Sequence, residues 1–283
     1  MTSTINYWDN IHRVKEAITN ADALLVGIGA GMSTAAGLTY SGDRFHKYFD
    51  DFHKKYGITD MYSGGFYSFE SMEEYWAWWS RHIYYNRYDI PAGAPYVQLM
   101  NLLQDKNYFV ITTNVDHQMQ LAGVDKNKFY YMQGDYGLWQ CSKPCHQKTY
   151  DNEEQVRRMV KEQKDMKIPT ALIPHCPRCG KLMTMNLRID STFVQDEGWY
   201  EAQNRYADFI ERYKDKKLLM LELGVGYNTP MIIKYPFMRI AHENSGALYV
   251  PINIEVQPTP FEIHENTVSF NNDIQKVMND LLV

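Results

Sequence analysis

Ala23-Leu-Leu-Val-Gly-Ile-Gly-Ala-Gly-Met-Ser-Thr-Ala-Ala-Gly37 is the stretch that decides the fold. Its first six residues, Ala23 to Ile28, form an unbroken apolar run, the pattern of a strand buried on both faces. Gly29-Ala-Gly-Met-Ser33 then reads as a glycine-rich turn, and Thr34-Ala-Ala-Gly37 as the opening of a helix. Strand, glycine turn and helix in this order offer the unpaired N–H groups of a helix start to a phosphate. The ordinary dinucleotide pattern G-x-G-x-x-G is not met. Counted from Gly27, its third glycine falls at Met32; counted from Gly29, at Thr34. The turn by itself indicates a phosphate-binding helix start, or only a tight strand-to-helix connection, and no particular nucleotide.

Further apolar runs lie on either side. Tyr108–Thr113 leads into Asn114-Val-Asp116, and Phe129–Met132 into Gln133-Gly134. Leu218–Leu223 leads into Gly224-Val-Gly-Tyr-Asn-Thr-Pro230, and Ala247–Ile252 into Asn253-Ile-Glu255. Helical patterns open the chain at Asn6–Asn20, with Ile11, Val14 and Ile18 on one stripe, and close it at Asp273–Leu282. Continuous apolar strands separated by helices predict an α/β fold: a parallel sheet with helices on both faces. Each strand ends in polar or glycine residues, and that carboxyl edge is where open α/β sheets bind ligands. The aromatic stretch Glu73–Tyr85 reads as a helix with Tyr75, Trp78, Trp79 and His82 on one side, a packing face rather than a substrate-lining one.

The cysteines fall in two close pairs, Cys141-Ser-Lys-Pro-Cys145 and Cys176-Pro-Arg-Cys179. Two such pairs can converge on one tetrahedral zinc ion, and Gly180 lets the backbone turn back after the last ligand. Four thiolates close the site, so the expected zinc is structural, because a catalytic zinc keeps a position open. The alternative is four unconnected reduced thiols. Between the pairs, Gln155–Lys164 reads as a surface helix.

Composition narrows the rest. With 29 Lys+Arg against 34 Asp+Glu, the net charge of −5 argues against nucleic acid, whose phosphates select clustered cations. No apolar run approaches the roughly 18 residues of a spanning helix. The first ten residues lack the basic flank and apolar core of a secretory signal, so the expectation is a cytoplasmic protein with no membrane partner.

From Gly29 to Gly37 the sequence resembles the sirtuins, whose opening motif is Gly-Ala-Gly-x-Ser-x-x-(Ser/Ala)-Gly. The resemblance continues in order. Thr112-Thr-Asn-Val-Asp116 is similar to Thr-Gln-Asn-Ile-Asp, and Met132-Gln-Gly134 stands at the His-Gly position. The four cysteines follow, then Gly224-Val-Gly226 and the late Asn253-Ile-Glu255. The resemblance implies a Rossmann-like large lobe over about 1–44, 95–138 and 215–283, an aromatic-rich helical insertion over about 45–94, and a small zinc module over about 139–190. It also implies NAD+ as a consumed substrate. By the same resemblance Gly29, Ala30, Gly31 and Ser33 meet the phosphates. Thr113, Asn114, Val115, Asp116 and Gln133 surround the nicotinamide ribose, and Gly224, Val225, Gly226, Asn228, Asn253 and Ile254 line the adenosine side. Asn114, Gln133 and Asp116 are the expected catalytic residues.

Two departures stand out. The family's Pro-Asp-Phe-Arg is here Leu38-Thr-Tyr-Ser-Gly42, so Thr39 and Tyr40 take its place against the nucleotide, with Tyr40 or Arg44 as the stand-in for the missing groups. The histidine of deacylating sirtuins is Gln133. Nicotinamide departure needs no strong base, whereas deacylation must deprotonate a ribose hydroxyl, and a primary amide is not basic at neutral pH. The expected activity is therefore transfer of ADP-ribose to a protein. Resemblance to the macrodomain-linked bacterial branch implies a lipoylated glycine-cleavage-H-like carrier as acceptor and a functional link to a macrodomain ADP-ribosyl hydrolase. Two alternatives stand beside it: a deacylase in which His117 or a water does the proton transfer, and a silent NAD+-sensing module. His117 is the nearest substitute by position, although the start of a helix outside the site is its more ordinary place.

Overall fold

The computed structural model describes residues 6–283; the first five residues of the N-terminal stretch read above lie outside the described residues. Asn6 caps the first helix, Tyr7–Asn20, in a reciprocal arrangement with Asp9, and the helix buries Ile11 and Val14. The strands among the described residues are β1 (Ala23–Ile28), β2 (Tyr108–Thr112), β3 (Phe129–Tyr131), β4 (Gly134–Cys141), β5 (Tyr150–Asp151), β6 (Met183–Leu187), β7 (Leu218–Leu223), β8 (Leu248–Asn253) and β9 (Phe270–Asn271).

Six of them form one parallel sheet in the order β3-β2-β1-β7-β8-β9. The chain works outward from β1 to β3, then returns to the other side of β1 to lay down β7, β8 and β9. This is the Rossmann-like order, with its switch point between β1 and β7. Alternation along β1 shows why the run is apolar throughout. Leu24, Val26 and Ile28 enter a core with Ile11, Leu99 and Val277; Ala23 and Leu25 enter another with Phe109, Trp199 and Phe237. Helices Tyr7–Asn20, Ala94–Leu103 and Ile274–Leu282 supply the first core, and Glu197–Tyr213 and Lys234–Glu243 the second.

A third core joins the aromatic segment to the smaller antiparallel sheet β5-β4-β6. Phe45, Phe49 and Phe52 from the helix Asp43–Tyr56 and Trp76, Trp78 and Trp79 from Met72–Ile83 pack with Trp139, Val156, Met183 and Met185. The aromatic helix is thus a packing element, and Trp76, outside the expected face, stacks edge-on against Trp139 at 4.9 Å. The helix Glu153–Glu162 carries the expected surface stretch and buries only Val156 and Met159.

The expected strand positions hold, with two differences. β9 spans two residues, too short for any periodic signal. The helix after β1 runs Ala30–Ala35, so Gly29-Ala-Gly-Met-Ser33 is mostly helix, and Thr34-Ala-Ala-Gly37 ends it rather than opening it. Gly29, in extended conformation, already ends the strand, and Gly37 at φ +85° stops the helix.

Candidate active site

At the switch point two backbones press together through glycines. A Cβ on Gly224, whose φ is +63°, would lie 2.4 Å from Met32 N; one on Gly31 would lie 2.7 Å from Gly224 Cα. Gly29 N–H donates to Leu223 O at 2.9 Å and Gly31 N–H to Gly224 O at 2.9 Å. These glycines serve backbone contact first. Gly31 has spent its N–H, which leaves exposed Ala30, at the first helical position, to offer the N–H that a helix start cannot pair internally. Gly224→Ala adds both a clash and a left-handed strain. We expect it to cost about 3 kcal/mol, a Tm fall of roughly 5–10 °C in thermal unfolding.

Beside the glycines, Ser33 is the hub of a buried network. Its hydroxyl donates to the Asp116 carboxylate. A hydroxyl has one proton, so the 2.9 Å contact between Ser33 Oγ and the Tyr96 hydroxyl must have Tyr96 donating. Asn114 Nδ2 reaches Gly29 O at 2.9 Å, Ser33 Oγ at 2.9 Å and Tyr96 Oη at 3.1 Å. Burial pushes the Asp116 carboxyl up, opposed by the Ser33 hydroxyl and the Gln118 N–H. Asn114 Oδ1 takes no partner among the described residues and remains an open acceptor. Thr113 is tied back to Ile28 O through its N–H at 3.0 Å, and half-buried Val115 packs on the aromatic core.

Gln133 follows β3. Its carbonyl accepts the Arg188 N–H at 3.0 Å, and the preceding carbonyl, of Met132, accepts the Trp199 indole N–H at 3.1 Å. The main chain is thereby held, while the half-buried side-chain amide takes no partner among the described residues. On the other flank Gly226 and Asn228 are exposed, Ile254 is exposed, Val225 is buried, and Asn253 Nδ2 donates to Val225 O at 3.3 Å. Val225 therefore offers its backbone rather than its side chain.

The replaced motif behaves differently from a simple substitution. Arg44 donates to Thr39 O at 3.1 Å, Asn86 Oδ1 at 2.8 Å and Tyr85 O at 2.7 Å, so its guanidinium stitches the loop to the aromatic segment. Thr39 is exposed. Tyr40 pairs with the Tyr136 hydroxyl at 2.7 Å, which in turn meets His82 Nε2 at 2.8 Å. Burial and the Arg44 charge bring His82 down to about 3, so it stays neutral and is only a weak base. His117 stands at the start of the four-residue helix Gln118–Leu121, where its Nδ1 lies 2.6 Å from Asp135 Oδ2. Tyr96 and Asp135 had no signal in the sequence, since their partners are remote along the chain.

The four cysteines converge, with Sγ atoms all within 4.8 Å of one another. Cys141 and Cys179 are 3.6 Å apart, and Cys145 and Cys176 3.7 Å. A tetrahedron of thiolates around zinc has edges of about 3.8 Å, so the cluster fits that ion. Cys141 and Cys176 are buried against the aromatic core, consistent with a structural role.

A Rossmann-like sheet with a glycine-packed switch point, a polar carboxyl edge and an appended four-cysteine module defines a nucleotide-binding α/β protein with a structural metal site. Within that class the chain belongs to the Sir2 family, which its residues 29–213 match. It is 40% identical over 270 residues to a Staphylococcus aureus (strain Mu50) protein named Protein ADP-ribosyltransferase, covering 95% of this chain and 86% of that one. It is 32% identical over 236 residues to a Fusarium oxysporum f. sp. cubense protein named Probable bifunctional ADP-ribose hydrolase/ADP-ribosyltransferase, covering 78% of this chain but 38% of that one. In fold it is similar to Sir2Tm bound to a propionylated peptide, with a TM-score of 0.61 at 20% identity, covering 96% of this chain and 97% of that one. Among the described residues no helix is long and apolar enough to cross a membrane.

Proposed function

We propose that the protein cleaves the nicotinamide–ribose bond of NAD+ and transfers ADP-ribose to a protein acceptor. One observation carries the reading: a free amide, Gln133, stands at the family's histidine position, where it can orient a ribose hydroxyl but take no proton at neutral pH. His82, held down to about 3, is too weak a base to take a ribose proton, and His117 spends its Nδ1 on Asp135. Nicotinamide departs with the bonding pair. A carboxylate on the acceptor, already ionised, forms the new bond to the anomeric carbon, so no base is consumed. Asn114 and Gln133 orient the ribose, with the nucleotide lying along the carboxyl edge between the sheet and the zinc module.

The name of the Staphylococcus aureus relative supports transferase chemistry. Resemblance to the macrodomain-linked branch supports a lipoylated glycine-cleavage-H-like carrier as acceptor, in the cytoplasm. Pairing of both activities in the Fusarium oxysporum f. sp. cubense relative's name supports a functional link to an ADP-ribosyl hydrolase. The test supplies labelled NAD+ and the lipoylated carrier. Wild type should label the carrier, and Gln133→Ala should do so about 10- to 100-fold more slowly. Equal labelling by the two, or efficient release of acyl groups from acyl-lysine peptides by wild type, would sink the reading.

A further inference from the structure

We propose that Asp135, gripped between Arg87 and His117, is a positioning residue that sets where Gln133 and Asn114 stand relative to each other. The proposal rests on the reading that these two side chains flank the nicotinamide ribose. Asp135 is 5% exposed and joins remote parts of the chain. Its Oδ1 accepts Arg87 Nε–H at 2.6 Å and the Gly137 N–H at 2.7 Å. Its Oδ2 meets His117 Nδ1 at 2.6 Å, with Gln120 Nε2 at 3.4 Å. Arg87 comes from a π-helical turn, Tyr84–Tyr88, that ends the aromatic helix; such turns re-aim side chains that a regular helix would send elsewhere.

The surroundings are shaped to admit this contact. A Cβ on Gly137 would lie 2.5 Å from Arg87 Nε, so the guanidinium passes over a glycine where no side chain fits. His117 holds φ +67°, a left-handed conformation that a non-glycine residue adopts at a cost of about 1 kcal/mol or more. It brings the ring to Asp135 directly after Asp116 has turned the other way, toward Ser33. Burial alone would raise the Asp135 carboxyl, but the His117 hydrogen bond and the Arg87 charge hold it below the usual carboxylate range, so it is an anion. The Tyr136 N–H donates to Val115 O at 2.9 Å alongside, which links the same two segments through the backbone.

The consequence follows from connectivity. Asn114 is pinned on one flank to Gly29, and Gln133 to the Arg188 N–H. Those anchors belong to different parts of the fold. Beyond the β2–β3 pairing, Asp135 adds a side-chain tie, gripping the Asn114 segment through His117 and holding the Gln133 segment by its own backbone. A shift of about 1 Å between reacting groups costs on the order of 100-fold in rate, so the grip should act on turnover rather than on nucleotide affinity.

The experiment measures nicotinamide release and, separately, NAD+ affinity by calorimetry. Asp135→Asn should lower kcat about 10- to 100-fold while leaving the NAD+ Kd within about threefold. Arg87→Lys keeps the charge but lacks the planar fork and should fall about tenfold, which carries the test if Asp135→Asn folds poorly. His117→Asn tolerates the left-handed backbone and can still donate to Asp135, so it should recover about tenfold of the activity lost in His117→Val. Wild-type kcat in Asp135→Asn and Arg87→Lys overturns the proposal. So does a weakened Kd at unchanged kcat, or a rate loss that only tracks the folded fraction. Gln133→Ala and Asn114→Ala serve as controls: if both release nicotinamide at the wild-type rate, it is the reading of the ribose site that fails.

Discussion

Cys176→Ser is expected to leave the small sheet and the aromatic segment without a stable core. The cysteine is 2% exposed and sits, with Cys141, against Trp76, Trp139, Val156 and Met183. Besides the aromatic core, the segment between the cysteine pairs contributes only β5, two residues long, the helix Glu153–Glu162 and the one-turn helix Thr170–Leu172. Structural zinc binding in small modules is worth about 10–16 kcal/mol, as large as the whole stability of many domains. Loss of one thiolate opens the tetrahedron and removes most of that. The expected result is zinc stoichiometric with the chain by elemental analysis in wild type, its absence in Cys176→Ser, and a Tm lower by well over 10 °C. A chelator should reproduce the effect on wild type. Wild-type Tm in a zinc-free preparation would show that the aromatic core stands alone and that the thiols are only neighbours.

Asn114→Ala is expected to lower the rate of nicotinamide release by about 100- to 1000-fold, the range seen when one fixed polar group is removed from a developing charge. The side chain does two things at once. Nδ2 has two protons for three acceptors, Gly29 O, Ser33 Oγ and Tyr96 Oη, so one is shared, and the set fixes the amide plane. Oδ1, left free by that arrangement, is the acceptor that the proposed reading assigns to the ribose. Alanine removes both. Asn114→Asp is a sharper contrast: it retains an acceptor, loses the donor, and sets a second carboxylate near buried Asp116. Its rate should be no better than that of alanine. Nicotinamide release and calorimetric NAD+ binding, measured on variants with wild-type Tm, check the expectation. A rate within about threefold of wild type would remove Asn114 from the reacting centre.

Both predictions begin from residues that could be picked out of the sequence, and the reasons differ. The cysteines were legible because close-spaced pairs are rare except as metal ligands. Asn114 follows an apolar strand at the edge where α/β sheets bind ligands, and the resemblance of Thr112-Thr-Asn-Val-Asp116 to the sirtuin motif singled it out. The five strands β1, β2, β3, β7 and β8 were legible to within a residue or so, since a strand buried on both faces leaves an unbroken apolar run; β4, β5 and β6 of the small sheet, whose polar residues interrupt any such run, were not. What the sequence obscured is equally physical. β9 is too short to show a period. The glycines after β1 read as a phosphate turn, yet they sit against Gly224, which lies nearly two hundred positions on. Arg44, a natural stand-in for a missing arginine, spends its guanidinium on Thr39, Tyr85 and Asn86. No local pattern announces that Asp135 will find Arg87.

Sequence alone settled which elements form and which chemistry is open to them: five buried strands, a four-thiolate metal site, and an amide where a base would otherwise be. The strands and the cysteine pairs are properties of residue type and spacing, and the place of the amide is what the resemblance to the sirtuins implies. Tertiary structure alone decided which polar groups are spent and which stay free. Gly31's N–H, Arg44's guanidinium and His117's Nδ1 are taken by partners distant in sequence, whereas Asn114 Oδ1 and the Gln133 amide are left open. The reason is that a buried polar group must pair with whatever the packed chain brings within about 3 Å, and that distance is set only when all the elements have come together.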